Sequence, residues 1–350
     1  MARPVARGGN PVAVPRRVEL PESLSGTAFR TAGAGFSEKR LRAGDVDRPY
    51  HGVRSVFLDQ QTVVGRCRAY EPRMPASQFF SHITAAQLYR IPLPPELVDA
   101  AAVHVSVTGS DTRPRLPGVV GHRMSATVRP WMHRGFAVAD PVSTWCQLAS
   151  VLGLDDLIAA GDFLVSGRVT DSGREPPLAS IEQLRAGAMR FAGNRGARRL
   201  AEAVAAVRTG VDSRPETLLR LLLMRSGQPE PVINKPIFDN EGRRLGKPDL
   251  SYEWARTVLE YEGDGHRTDA ARFRRDISRR ERFEDAGWRV IRVTAEDVFV
   301  DPDDFVRRTA RTLARRAAAL VSADPGPIPV APASTRISPR PMPASGHKTP

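Results

Sequence analysis

Lys247-Pro248-Asp249-Leu250-Ser251-Tyr252-Glu253-Trp254-Ala255-Arg256-Thr257-Val258-Leu259-Glu260-Tyr261-Glu262-Gly263 is the stretch that decides how this chain is read. Side chains of a β-strand point alternately to opposite faces. Along 257–262 that alternation sends Val258, Glu260 and Glu262 to one face and Thr257, Leu259 and Tyr261 to the other. Two carboxylates therefore share a surface. A hairpin turning symmetrically about Trp254-Ala255 brings Asp249 opposite Glu260, and three acids converge. No Gly, Asn or Pro marks that turn, and a slip of one residue moves Asp249 to the other face.

Clustered carboxylates repel unless a proton or cation offsets them. Mg²⁺ or Mn²⁺ is the natural counter-charge, since hard ions take oxygen ligands and keep positions open for phosphate oxygens. Asp249, Glu260 and Glu262 are the expected metal ligands. Gly263 and Gly265 flank Asp264 and free the backbone to turn. His266 follows, either as a proton-transfer group or as a histidine bonded to backbone at a helix start.

Working outward, period-two patterns at 232–238 and 245–254, separated by Asp239-Asn240-Glu241-Gly242, complete an antiparallel meander. Ahead of it, Ser213, Pro215 and Glu216 form a capping-box start for a helix through Leu218, Leu219, Leu222 and Leu223. Beyond it, a helix is expected over 269–286, stopped by Gly287. On that helix Phe273, Ile277, Arg280 and Glu284 point one way, whereas Arg272, Arg275, Arg279 and Arg282 form a basic stripe. Arg275, Arg279 and Arg282 suit a phosphate backbone; the alternative is a solvated face. Asp276 and Arg280, near the apolar edge, are placed to brace the acidic sheet face. A strand over 288–293, a short helix capped by Thr294 with Asp297, and an amphipathic helix from Asp301-Pro302 finish the pattern.

The N-terminal part is less explicit. Residues 1–24 and 323–350 are rich in Pro, Gly, Arg and Ser without apolar periodicity and read as disordered tails. Residues 25–74 suggest a helix at 27–34, a basic helix capped by Ser37, and a wing starting at Tyr50-His51-Gly52-Val53. This is the order of a winged helix-turn-helix, or of a small packing module. Residues 75–194 read as an α/β middle region, with helices at 82–88 and 141–152 and a strand at 103–107. There His104 is a satisfied half-buried histidine, and Trp145 belongs to a core. Helices follow at 180–209, and residues 195–322 make the last domain.

The 350 residues carry a formal charge of +13, with arginine far outnumbering lysine, which favours a polyanionic partner. Cys67 and Cys146 show neither a pairing pattern nor zinc spacing. Without an apolar run of membrane-spanning length, a soluble, cytoplasmic protein is expected, with no membrane partner.

Pro248-Asp249 followed by Glu260-Tyr261-Glu262 resembles the PD-(D/E)xK endonuclease superfamily. Asp249-Leu250, Leu259-Glu260-Tyr261-Glu262-Gly263 with His266, Asp276 with Arg279-Arg280, and Gly287-Trp288-Arg289-Val290-Ile291-Arg292 look closest to its very-short-patch-repair branch and to the bacterial family called domain of unknown function 559, over about residues 210–315. The resemblance implies an α/β, restriction-endonuclease-like C-terminal domain with a mixed sheet, metal ligands at Asp249 and Glu260, and endonuclease activity. Glu262 stands where the superfamily has its lysine, so lysine-assisted water activation is not implied, and His266 or metal-bound water carries more of the work. Glu216 matches an acid often present on the superfamily's first helix. Tyr50-His51-Gly52-Val53, Thr84-Ala85-Ala86-Gln87-Leu88 and Gly161-Asp162 resemble the N-terminal region of AbiEi-like antitoxins over about 25–165. That implies DNA binding, regulation or a toxin–antitoxin partner. The expected function is therefore a metal-dependent phosphodiester hydrolase acting on nucleic acid, with DNA the first choice; the alternative is a non-catalytic DNA-binding regulator on a vestigial nuclease fold.

Overall fold

The computed structural model describes residues 18–124, 128, 130–263 and 270–323, with 270–276 and 323 described by backbone alone. The chain forms mixed α/β structure that divides into two compact units, residues 1–80 with 101–138, and residues 81–100 with 139–350.

In the first unit, β1 (Thr27–Arg30), α1 (Glu38–Leu41) and β2 (Val53–Val56) precede α2 (Val63–Tyr70) and β3 (Gln78–Phe80). The helix expected at 27–34 is instead β1, paired antiparallel with β2 in the register Thr27↔Val56 to Arg30↔Val53. Long-range pairing prevails over a weak local helical preference, and Gly33 and Gly35, at φ +80° and +71°, end the segment. Ser37 does cap α1 by accepting the Arg40 N–H. Arg40 is buried and held by both oxygens of Asp45 at 2.8 Å, so this helix of one turn turns a basic residue inward.

Helices α3 (His82–Tyr89) and α4 (Pro95–Val98) belong to the second unit. The chain then supplies β4 (Val103–Thr108), β5 (Val119–Met124), β6 (Pro130–His133) and β7 (Phe136–Ala139), giving a five-stranded mixed sheet in the order β5-β4-β3-β7-β6. His104 is buried and stacks on His122 of the neighbouring strand, with their ring nitrogens 3.0 Å apart. Burial holds both imidazoles below the usual histidine range, and His104 falls to about 4.

The second unit continues with α5 (Pro141–Leu148), α6 (Leu154–Ser166), the small hairpin β8 (Val169–Thr170) and β9 (Gly173–Arg174), then α7 (Ile181–Arg190), α8 (Ala197–Ala206) and α9 (Arg214–Arg225). After these come β10 (Val232–Ile233), β11 (Ile237–Phe238), β12 (Arg244–Gly246), β13 (Leu250–Tyr252), β14 (Thr257–Tyr261), α10 (Ala270–Asp285), β15 (Arg289–Val293), α11 (Ala295–Phe299) and α12 (Pro302–Ala323). The compact unit does not follow the sequence boundary at residue 195. Asp162 of α6 is fully buried and bonded to Thr217 and Arg220 of α9, and the fully buried Trp145 donates to the Leu157 carbonyl, so α5 and α6 share one interior with α9.

A four-stranded mixed sheet, ordered β10-β13-β14-β15, forms the frame of the C-terminal part; β13 and β14 are antiparallel, β14 and β15 parallel across α10. On one face Leu250, Leu259, Ile291 and Val293 pack with Leu219 and Leu223 of α9 and Phe305 and Leu313 of α12. On the other, Val258 and Val290 pack with Ile237, Leu245 and Phe283 of α10. Val258 and Leu259 thus enter opposite cores, as strand alternation requires. The long meander strands break into short pieces, with a single 3-10 turn over Glu253–Ala255 making the tight connection from β13 to β14. Among the described residues, no helix is long and apolar enough to cross a membrane.

Candidate functional site: a carboxylate cluster beside the central sheet

The register of β13 against β14 pairs Leu250 with Leu259, Ser251 with Val258 and Tyr252 with Thr257. Continued by one residue, it sets Asp249 against Glu260. An Asp249 carboxylate oxygen accepts the Tyr261 N–H at 2.7 Å, and the Asp249 carbonyl accepts the Asn234 N–H at 3.0 Å. Pro248, which has no N–H to give, precedes this point.

The third acid of the cluster is Glu216, at the start of α9. Its side chain is buried, accepting the Asp212 N–H at 3.0 Å, the Ser213 hydroxyl at 2.8 Å and the Asn234 amide at 2.6 Å. Asn234 lies in the left-handed region at φ +48°, and from there its backbone reaches Asp249 while its amide reaches Glu216. Burial, and then the charge of Asp249, raise the Glu216 carboxyl to about 7. Burial also raises Asp249, to about 6; Glu260 and Asp212 add to the rise, while the Tyr261 N–H and Arg279 oppose it. Next to this group Asp212 is held by Lys247 at 2.6 Å and by Arg174.

Glu262 does not join the cluster. Its N–H donates to the Val293 carbonyl at 2.7 Å, and its carboxylate is gripped by Arg292 of β15. In place of the expected convergence of Asp249, Glu260 and Glu262, the Glu262 N–H continues the parallel pairing with β15, and Arg292, the register partner of Glu260, holds the Glu262 carboxylate. Among the described residues, no three His, Cys, Asp or Glu side chains form a group that could hold a metal ion.

The helix face also differs from expectation. Among the described residues of α10, Phe283 is the fully buried one, its ring over Gly246, where an added Cβ would come within 2.8 Å of it. Ile277, assigned to the apolar side, is 43% exposed. Arg279, assigned to the outward basic stripe, turns toward the sheet and donates to Glu260 at 2.9 Å. Arg280 pairs with Glu284 in solvent instead of bracing the acids. Arg282 is exposed. Arg275 lies on α10 with its side chain outside the described residues, as does that of Asp276, and His266 lies outside them altogether.

Sequence reading had placed Asp249 and Glu260 but gave Glu216 a capping role first, and passed over Lys247, Asp212 and Asn234. The signal for Glu216 was its spacing after Ser213; the contact with Asn234 has no local signature.

No family model matches the chain, and no solved structure matches it. Two curated proteins are similar to it, both described as uncharacterized and both from Mycobacterium tuberculosis, strains CDC 1551 and H37Rv. Each is 25% identical over 277 residues, which cover 79% of this chain and 95% of theirs.

Proposed function

We propose that the C-terminal part of the chain is a metal-dependent nucleic-acid phosphodiester hydrolase, a DNA endonuclease in the first instance, on a restriction-endonuclease-like fold of the PD-(D/E)xK kind. The observation that carries this reading is the packing of Asp249 and Glu260 across β13 and β14 with Glu216 behind them, where burial and neighbouring charge push the Asp249 carboxyl up to about 6 and that of Glu216 to about 7. Carboxylates so placed favour an added cation. The donor set is all oxygen, the chemistry of Mg²⁺ or Mn²⁺, with Asp249 and Glu260 the holding residues. Asp249 and Glu260 would hold a divalent ion that would supply a Lewis acid for phosphate and a water of lowered pKa. The Tyr261 N–H fixes one oxygen of Asp249, and Arg279 fixes one of Glu260, so both carboxylates are oriented before any ligand arrives.

Mn²⁺ titration of the full chain by calorimetry, alongside plasmid DNA and RNA incubated with Mg²⁺ or Mn²⁺, tests the proposal. Mn²⁺ uptake and strand cleavage are expected, and both should disappear in Asp249→Asn and Glu260→Gln. Cleavage that persists unchanged in Glu260→Gln removes the site.

One observation favours a second reading. Arg279 and Arg292 already neutralise Glu260 and Glu262, as in a nuclease-like scaffold turned to regulation. A non-catalytic DNA-binding or antitoxin-like regulator would show salt-dependent DNA binding without Mn²⁺ uptake, unchanged by Asp249→Asn.

A further inference from the structure

Away from the acids, the β11–β12 hairpin and the C-terminal half of α10 border a cavity of about 630 Å³. Arg244, Arg256 and Arg282 line it together with Phe238 and Trp288. None of these three arginines has an acidic partner among the described residues. The neighbouring acids of the hairpin are taken: Asp239 and Glu241 both pair with Arg243, at 2.7 and 3.1 Å. With Asp285, the lining sets three carboxylates against four guanidinium groups, those of Arg243, Arg244, Arg256 and Arg282, so a net positive charge remains. Phe238 is 54% exposed, a large aromatic face standing in water beside them.

Arg256 is fixed in position by its backbone. It sits at φ +39°, a left-handed conformation that L side chains avoid and glycine accepts. The backbone is locked there, because the Arg256 N–H donates to the Glu253 carbonyl at 3.0 Å and its own carbonyl accepts the Arg289 N–H at 2.8 Å. This left-handed residue caps the 3-10 turn over Glu253–Ala255 and leads the chain into β14. Here the side chain reaches the cavity.

Three unpaired cations answer phosphates, and an exposed aromatic ring answers a base. A bare anion would use the first and leave the second in water, and in a paired duplex the base faces are covered by stacking. Arg282 follows Arg279 by three residues, roughly 4.5 Å along the helix axis and on neighbouring rows. A strand lying against α10 therefore runs from this cavity toward Glu260. We propose that the cavity is a docking groove for a single strand of nucleic acid, with phosphates against Arg244, Arg256 and Arg282 and a base stacked on Phe238. This deepens the nucleic-acid reading given above and rests on it.

The test is fluorescence anisotropy of a fluorescein-labelled twelve-residue thymidine oligonucleotide, with the full chain in EDTA, across a salt series. The unmodified chain is expected to bind. Arg244→Ala/Arg256→Gly/Arg282→Ala should weaken binding at least tenfold and flatten the logarithmic salt slope by about two. Phe238→Ala should weaken it about fivefold or more, and Phe238→Trp should retain it. Arg307→Ala/Arg311→Ala, on the exposed side of α12, should bind as the unmodified chain does. Arg256→Gly alone should bind more weakly while melting no lower, since glycine relieves the backbone; this single variant keeps the test decisive if the triple variant fails to fold. No binding by the unmodified chain, an unchanged affinity in Arg256→Gly and Phe238→Ala, an equal loss in the α12 control, or preference for a duplex of the same length would each overturn the proposal. Binding is read without divalent ions. Loss of the groove with cleavage intact thus leaves the acid site standing, and binding without cleavage does the reverse.

Discussion

Asp162 and Asp249 are two acids taken out of water within the same compact unit, and their surroundings differ in one respect. Asp162 is fully buried, yet it accepts the Arg208 N–H at 2.6 Å, the Thr217 hydroxyl at 2.8 Å and the Arg220 guanidinium at 3.1 Å. Arg220, equally buried, continues to the Ala206 carbonyl and Glu230. The charges balance inside the protein. Asp249 accepts the Tyr261 N–H and has three acidic neighbours, Glu216, Glu260 and Asp212, with Arg279 as a cation that opposes them. A buried acid with its own counter-charge holds helices together; buried acids in excess are what the proposed divalent ion would offset.

Breaking the balanced cluster should give the largest effect. Arg220→Met leaves Asp162 buried without its cation and is expected to cost about 3–5 kcal/mol in urea denaturation. A cost below about 1 kcal/mol would show that the network is not what secures α6 to α9.

The unbalanced cluster should respond to pH in the opposite sense to an ordinary ion pair. Folded Glu216 titrates near 7, against an ordinary 4.5, so between these values the folded chain holds a proton that the unfolded chain has lost. Its contribution is most favourable below 4.5 and declines as pH rises toward 7; Asp249 acts in the same direction between 3.8 and about 6. Glu216→Gln should remove its share of this decline and stabilise the protein at pH 8 by on the order of 2 kcal/mol. Equal stability–pH profiles for the two proteins would mean that Glu216 feels no such pressure.

Glu262→Ala should give the smallest effect. It breaks an exposed pair with Arg292 and is expected to cost no more than about 1 kcal/mol by thermal melting. Mn²⁺ uptake should survive it. Loss of that uptake would put Glu262 back among the ligands and blur the distinction between the two clusters.

Residue patterns showed the parts of this site that depend on short range. Alternation along Thr257–Tyr261 assigned faces to Val258, Leu259 and Glu260, and the turn about Trp254-Ala255 set the opposition to Asp249. Ser37, Ser213 and Thr294 marked helix starts because capping is a contact within three residues. The failures lie at longer range. Thr27–Arg30, the start of the helix expected at 27–34, became a strand through a partner more than twenty residues away. Gly161-Asp162, noticed only as part of a resemblance, proves structural: a Cβ at Gly161 would strike Val207, and Asp162 anchors α9. Helical periodicity put Ile277 inward and Arg279 outward, whereas Phe283 seated over Gly246 turned the helix the other way.

The sequence by itself determined mixed α/β structure, the alternation that puts Val258 and Glu260 on one face of β14, and the basic character of α10, since each follows from backbone periodicity and side-chain type. The register that opposes Asp249 to Glu260 was one of two neighbouring choices until the folded turn fixed it. The tertiary structure alone decided which charges meet. It brought Glu216 to Asp249 through Asn234, gave Arg279 to Glu260 and Arg292 to Glu262, and gathered Arg244, Arg256 and Arg282 about one groove. Those pairings link residues far apart in the chain, where charge and burial depend on how whole elements pack, and no local pattern carries that information.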